Sequence, residues 1–469
     1  MPDPSPSPLP HAILMLGIGG IGMSALARHL AAQGRRVAGY DLTPSPITAA
    51  LEAEGVAVSF SPDPTHLPPW VQDAGPDDLL VVHTPAVPAD FPLRGWCRER
   101  RWATVKRAEL LGRITAGKPT LAVAGTHGKT TTSSWLAHML RHEGCHAFLG
   151  GIDPQTGSNY VATPGATWHV VEADEFDRSF LHLQPTHAAV TTLDPDHLDV
   201  YGNADAFRAA FHEFGQRVTG KLLWPLNTHD APNGREVERF AVLEGPQTLE
   251  AMGRECRHAA MLRGEGTALF CLDHGLDTEV RFEAKPALPG HHNLANALVA
   301  SALAFHAGVP AARLAEGVAT FGGVKRRMDI HLDTPEAAYV DDYAHHPAEL
   351  NALLQAVRER WPGRHVTLVF QPHLYSRTRD FAPEFASVLA QTDRLVLLPI
   401  YPAREQPIPG VDAQWLFENI SAPHKQLSSS DSIFTSLKAG PLDVLVTAGA
   451  GDIDRLVPQA LQLMRDRLK

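Results

Sequence analysis

The chain has 469 residues, 44% of them apolar and 20% charged, which is the profile of a soluble globular protein and excludes a disordered one. At about 100 to 200 residues per domain, this length predicts two to four domains, with three as the central expectation. The formal net charge of -11 argues against the basic face that nucleic-acid binding needs, yet local loops in an acidic protein still bind anionic small molecules.

Cys97, Cys145, Cys256 and Cys271 are scattered, with no CxxC pair, and read as reduced thiols rather than a disulfide frame or zinc site. The opening MPDPSPSPLP lacks the basic start and apolar stretch of a signal peptide. No apolar run approaches the 18 or so residues of a membrane span. The expectation is a cytoplasmic protein without a membrane or nucleic-acid partner.

In chain order, short β-rich apolar runs alternate with helical segments, which predicts an α/β fold with mostly parallel sheets. The first block has a strand at 12–16, a glycine loop, a helix from about Met23 to Gln33 and a strand at 36–40 ending at Asp41. Its five prolines make the stretch from Ser61 to Pro76 an expected loop without regular elements, and a strand at 79–82 leads into His83-Thr84-Pro85. The second block follows the Ala116 to Pro119 linker: a strand at 120–124, a loop from Gly125 to Thr131, and a helix running to about His142. Further strands are expected at 168–172, 188–192 and 221–224, with a long helix starting near Asn293. The pattern from Asn227 to Arg281 is weak and carries no motif. The third block, from about Met328, places strands at 338–341, 365–370, 394–398 and 443–447 around helices such as 347–359, again Rossmann-like.

Two loops carry chemistry. Gly17-Ile18-Gly19-Gly20-Ile21-Gly22 satisfies GxGxxG between a strand and a helix, with Asp41 about 20 residues on, so it suits a diphosphate; read literally, it is a dinucleotide fingerprint and leaves an NAD-dependent dehydrogenase open. The second loop, Gly125-x-x-Gly128-Lys129-Thr130, is a shortened relative of the P-loop, with Val123 where the first glycine of GxxxxGK[ST] would stand. It supplies backbone amides and a lysine for phosphates and a hydroxyl for Mg²⁺. Acids at strand ends, Glu172 with Asp174 and Glu175, and Asp194, Asp196 and Asp199 with His197, stand where such sheets gather ligands. In the third block, His345 and His346 follow one strand, and His373, Arg377 and Arg379 follow another; arginines there suit a carboxylate substrate.

These residues fall into ordered motifs: GIGGIGMSALA from Gly17, GTHGKTTTSSWLAHML from Gly125, EADEFDRSFLHL from Glu172, DPDHLDVYG from Asp194, GHHNLANAL from Gly290, RRMD from Arg326, DDYAHHP from Asp341, FQPHLYSRTRDF from Phe370, YPAREQPIPG from Tyr401 and GAGDI from Gly449. Together they resemble the Mur ligase family over nearly the whole chain, and within it the branch that adds L-alanine to UDP-N-acetylmuramate.

The resemblance implies three domains: a Rossmann-like UDP-sugar domain over 1–115, a P-loop-type ATP domain over 116–327 and a Rossmann-like amino-acid domain over 328–469. It assigns Gly17, Gly19, Gly20, Ile21, Gly22 and Met23 to the UDP-sugar rather than to NAD, with Asp41, Thr84, Pro85 and Arg107 beside them. Gly125, Thr126, His127, Gly128, Lys129, Thr130 and Thr131 would cradle the ATP phosphates. Asn293 and Asn296 would hold adenine, Arg327 would reach the γ-phosphate and Asp342 would meet the nucleotide. Thr130 and Glu172 would bind Mg²⁺ (or Mn²⁺), with His197 serving a second ion. Lys129, Glu172, His197 and Arg327 would form the catalytic set, and His345, His346, His373, Arg377 and Arg379 the amino-acid side. The implied partners are UDP-N-acetylmuramate, L-alanine and ATP.

Two departures stand out. Several sister ligases hold a second metal with a carbamylated lysine, and no lysine occurs here between His197 and Lys221; some members carry an arginine after the histidine of FQPH, where this chain has Leu374. The competing readings are a recycling ligase that attaches a preformed peptide to the same UDP-sugar, and a non-enzymatic nucleotide sensor.

Overall fold

Five consecutive buried residues, Ala12 to Leu16, form the central strand of the first sheet, because a strand covered on both faces has no polar side to present. In this computed structural model, which describes residues 9–195, 198–228, 231–403, 405–429 and 431–469, the strands build three sheets in chain order. The first contains β1 (Ala12–Leu16), β2 (Arg36–Tyr40), β3 (Ala57–Ser59), β4 (Leu79–His83) and β5 (Ala103–Lys106), all parallel in the order β3-β2-β1-β4-β5. The chain builds outward from β1 through β2 to β3, then crosses to β4. The carboxyl ends of β1 and β4 therefore part at a switch point, which opens a crevice.

The second sheet has β6 (Thr120–Ala124), β7 (Cys145–Asp153), β8 (Ser158–Ala162), β9 (Trp168–Glu172), β10 (His187–Val190), β11 (Leu222–Pro225), β12 (Glu238–Leu243), β13 (His258–Leu262), β14 (Ala268–Leu272) and β15 (Val280–Ala284). Their order is β15-β14-β13-β12-β11-β10-β6-β9-β7-β8, and only β7–β8, β13–β14 and β14–β15 pair antiparallel. With β6 between β9 and β10, the loop after β6 has Glu172 on one side and Thr191 on the other. The third sheet holds β16 (Asp329–Asp333), β17 (Ala338–Asp342), β18 (Val366–Phe370), β19 (Arg394–Leu397), β20 (Lys425–Leu427) and β21 (Val444–Ala448), ordered β16-β17-β21-β18-β19-β20, with only β16–β17 antiparallel. This is the expected three-domain α/β architecture with mostly parallel sheets.

The chain divides into two compact units, Met1–Lys285 with Ala295–Phe321, and Pro286–Leu294 with Gly322–Lys469. Within the first, the helix Ile21–Ala32 packs on β7 and β8 of the second sheet. Asn159 on β8 joins the two: its amide nitrogen donates to the Ile21 carbonyl and to Ser24 Oγ (2.9 Å), and its carbonyl accepts from Arg28. Beside it, His29 Nδ1 meets the Tyr160 hydroxyl at 2.8 Å, and His146 Nδ1 meets the same hydroxyl at 2.9 Å.

One expectation needs correction. Ser61 to Pro76 is not devoid of regular structure: a 3-10 turn spans Pro64–His66 and a short helix Pro69–Gln72. Both carry proline in the first turn, where no backbone N–H is needed, and Asp63 caps the first by accepting from Thr65 N at 2.9 Å. The weakly patterned stretch from Asn227 to Arg281 contains β12 to β14 and the start of β15. Its strands are hard to read because β12 buries Glu238 and β13 buries His258. Glu238 accepts from His258 Nε2 (2.9 Å), His306 Nε2 (2.6 Å) and Lys221 Nζ (2.6 Å). Burial opposes the charge on Glu238, but these hydrogen bonds hold its carboxyl well below the usual range. The backbone N–H of Asp273 donates to His258 Nδ1 at 3.4 Å, which leaves the proton on Nε2, facing Glu238.

All four cysteines are free and buried. Among the described residues, no helix is long and apolar enough to cross a membrane.

Candidate active site

The first glycine loop leaves β1 at the switch point. Gly17 has φ +84°, and a Cβ there would collide with the Thr84 methyl group. Gly19 N donates to Asp41 Oδ2 at 2.7 Å, and a Cβ on Gly22 would stand 2.9 Å from Arg107 Nη1. The fold thus gathers Thr84, Asp41 and Arg107, from three separate segments, around Gly17, Gly19 and Gly22. Gly20 caps the helix Ile21–Ala32 without a side-chain hydrogen bond, and its first turn carries no acid, so the terminal amides are left for an anion. Met23 is buried in the core, with its side chain beneath Gly20, whereas Pro85 is exposed.

The second loop joins β6 to the helix Lys129–Met139, which Gly128 caps at φ +81°. A Cβ on Gly128 would collide with the Asn296 side chain, and one on Gly125 (φ +127°) with Thr191. Neighbouring strand ends fix the loop from outside: Thr126 N donates to Thr192 O (3.2 Å), His127 N to Thr192 Oγ1 (3.0 Å), Thr126 Oγ1 to Asp194 O (2.6 Å) and Thr191 Oγ1 to His127 O (2.5 Å). Asn296 accepts from Thr132 Oγ1 at 3.2 Å on the next turn of the helix, and Thr131 is buried.

Lys129 and Thr130 begin the helix, so their side chains project at the loop. Lys129 Nζ donates to Gly125 O (2.6 Å) and lies 2.7 Å from the Glu175 carboxylate. Burial works against the lysine's charge, but the carboxylates of Glu175, Asp174 and Glu172 outweigh it and hold its pKa above the ordinary value. Thr130 Oγ1 donates to Glu172 Oε1 at 3.1 Å, and Glu172 Oε2 accepts from Gly150 N at 3.1 Å. A hydroxyl and a carboxylate converging on one spot form a hard-oxygen pair of the kind Mg²⁺ prefers, so this donor set fits that ion. His197 and Asp196 lie outside the described residues.

The segment after Glu172 also reaches the first domain: Asp174 pairs with Arg107 at 3.2 Å and Asp177 with Lys106 at 2.7 Å. Sequence reasoning placed Glu175 only within the strand-end acid cluster, and assigned no site role to Gly150, Thr191 or Thr192. A signal existed for Gly150, one of a glycine pair inside an apolar strand, but none separated Glu175 from its acidic neighbours.

In the second unit, Arg327 lies over the Tyr343 ring at 4.9 Å and is flanked by Arg326 (φ +63°) and Met328 (φ +49°). Two left-handed non-glycine residues around one arginine are a costly arrangement of the kind found at functional sites. Asp342 accepts from Met328 N (2.6 Å) and Ala344 N (2.7 Å), and burial raises its carboxyl to about 6. Asn293 donates to Pro289 O at 2.7 Å. His345 and His373 meet edge to face at 5.7 Å, and His373 stacks on Tyr401 at 5.9 Å. His346 has a local task, capping the helix Pro347–Arg360 by accepting from Ala348 N. Burial lowers the pKa of His345 more than the Glu349 carboxylate raises it, and the Arg377 charge adds to the lowering, while Arg379 is exposed and bonded to Asp380 at 2.7 Å. Leu374 adopts φ +70° between His373 and these arginines.

Three family models match in chain order: the Mur ligase family catalytic domain over residues 12–119, the Mur ligase middle domain over 123–304 and the Mur ligase glutamate ligase domain over 326–451. The UDP-N-acetylmuramate–L-alanine ligase of Flavobacterium johnsoniae is 42% identical, covering 97% of this chain and 98% of its own. The protein of the same name from Flavobacterium psychrophilum is 44% identical over 95% and 96%. Among solved structures, the UDP-N-acetylmuramate–alanine ligase of Thermotoga maritima superposes with a TM-score of 0.77 at 26% identity, covering 96% of this chain and 99% of that one. With the family models spanning most of its length and relatives this similar over nearly all of it, the chain belongs to the Mur ligase family.

Proposed function

We infer that this protein ligates L-alanine to the lactyl carboxylate of UDP-N-acetylmuramate at the expense of ATP, in peptidoglycan precursor synthesis. The observation that carries this reading is the near full-length identity to ligases named for that reaction, joined to a phosphate loop whose lysine, hydroxyl and neighbouring carboxylate stand together. A carboxylate does not condense with an amine at neutral pH. The lactyl carboxylate would therefore attack the γ-phosphate, giving an acyl phosphate and ADP, and the L-alanine amine would displace phosphate through a tetrahedral intermediate.

In this scheme the first glycine loop and Arg107 would receive the UDP pyrophosphate, with the helix amides aimed at its oxygens. The amides of Gly125 to Thr131 and the Lys129 ammonium would offset charge spread over the transferring phosphoryl group. Thr130 and Glu172 would hold Mg²⁺, which, when bound, neutralises phosphate oxygens. Asn296 would border the nucleotide from beside Gly128, and the family resemblance also gives Asn293, Arg327 and Asp342 to the nucleotide. Arg377 is the better candidate for the L-alanine carboxylate, since its charge acts on His345 whereas Arg379 is bonded to Asp380.

The test is ADP release assayed with each substrate omitted in turn. This reading expects turnover only when ATP, UDP-N-acetylmuramate and L-alanine are all present, and ADP release independent of the sugar nucleotide would contradict it.

A further inference from the structure

We propose that Glu175 is a positioning residue for Lys129, fixing the phosphate-loop ammonium where the transferring phosphoryl group will need it. The inference rests on the ligase reading above.

Glu175 is 1% exposed, and its carboxylate reaches Lys129 Nζ with both oxygens, at 2.9 and 2.7 Å. The same ammonium donates to Gly125 O at 2.6 Å and lies 3.3 Å from Thr126 O. A lysine side chain has four rotatable bonds and a point charge, so alone it would sample many positions. Here the loop carbonyls hold it from one side and Glu175 from the other. The neighbouring Glu172 is engaged elsewhere, by Thr130 Oγ1 and Gly150 N, so the two glutamates of one short segment have separate partners.

The backbone carrying Glu175 is fixed unusually well. Asp177 and Arg178 both adopt φ +54°, a left-handed conformation that two successive non-glycine residues keep only when their surroundings enforce it. Tyr201 Oη donates to Glu175 O at 2.6 Å, and Phe180 N donates to Asp174 O at 2.9 Å. Asp174 and Asp177 tie the turn to Arg107 and Lys106 of the first domain. This strained, anchored turn delivers one buried carboxylate to the phosphate-loop lysine.

The test compares Glu175→Gln and Glu175→Asp with wild type by ligation kinetics, ATP binding by calorimetry and thermal unfolding. Misplacing a preorganised group by about 1 Å costs on the order of a hundredfold in rate. Glu175→Gln should therefore lower kcat by about tenfold or more, while ATP affinity is not weakened, KM for the UDP-sugar stays within about twofold and the unfolding transition is unmoved; Glu175→Asp should regain part of the lost kcat. A kcat within about twofold of wild type, or a loss that follows unfolding, overturns the proposal. Weakened ATP binding in Glu175→Gln also overturns it, and that arm reads the residue even if wild type fails to ligate L-alanine, a failure that would count against the proposed function instead.

Discussion

Lys129 Nζ lies 2.7 Å from the Glu175 carboxylate and 2.6 Å from the carbonyl oxygen of Gly125, four residues before it. The ammonium is thus folded over the loop that begins its own helix, where incoming phosphates would meet it. Removing a preorganised donor of this kind costs about 10² to 10³ in rate. Lys129→Ala should therefore retain its fold by circular dichroism and lose nearly all turnover. Activity above about a tenth of wild type would rule out this role for the lysine.

Gly128→Ala should weaken ATP binding. The residue has φ +81°, where a side chain costs about 1 to 2 kcal/mol, and its Cβ would push against Asn296. Calorimetry should show affinity reduced about tenfold or more. An unchanged affinity would mean that the loop can open without penalty.

The two arginines of the helix Tyr375–Asp380 should behave differently. Arg377→Ala should raise KM for L-alanine by about 10- to 100-fold, the worth of a charged hydrogen bond. Arg379→Ala, which loses only an exposed pair with Asp380, should change it by less than about threefold. Equal effects would contradict the assignment.

The helix Ile21–Ala32 and the second sheet meet at buried histidines, which makes the first unit sensitive to acid. Burial, reinforced by neighbouring cationic groups, holds His29 down to about 3 and His169 to about 4. Both stay neutral when folded but take up protons near pH 6.5 when unfolded, so the unfolded state binds more protons below that pH. Their contribution to stability is complete above about pH 6.5 and declines as pH falls toward 4. Thermal unfolding followed from pH 7.5 to 5 should show a falling transition temperature, and a flat profile would contradict this.

Much of the fold was legible because β1, β6 and β18 are continuous buried runs, and the first two end in glycine loops that mark strand-to-helix turns. The strands β12 and β13 were illegible for the opposite reason. Glu238 and His258 are polar core residues, and their partners Lys221 and His306 lie 17 and 68 residues from Glu238 in the chain. At the site, the loop residues could be named from spacing, and Glu172 from its place at a strand end together with the family resemblance. Glu175 could not, because which acid faces the lysine depends on the left-handed turn at Asp177 and Arg178. The contrast between Arg377 and Arg379 was likewise hidden, since only the helix places them on different sides.

The central claim concerns which amine this site accepts, and the most direct measurement is mass spectrometry of the product formed from UDP-N-acetylmuramate and ATP with L-alanine and a preformed muropeptide in competition. The account predicts UDP-N-acetylmuramoyl-L-alanine as the product, with ADP released in equal amount. Preferential transfer of the intact peptide would contradict it.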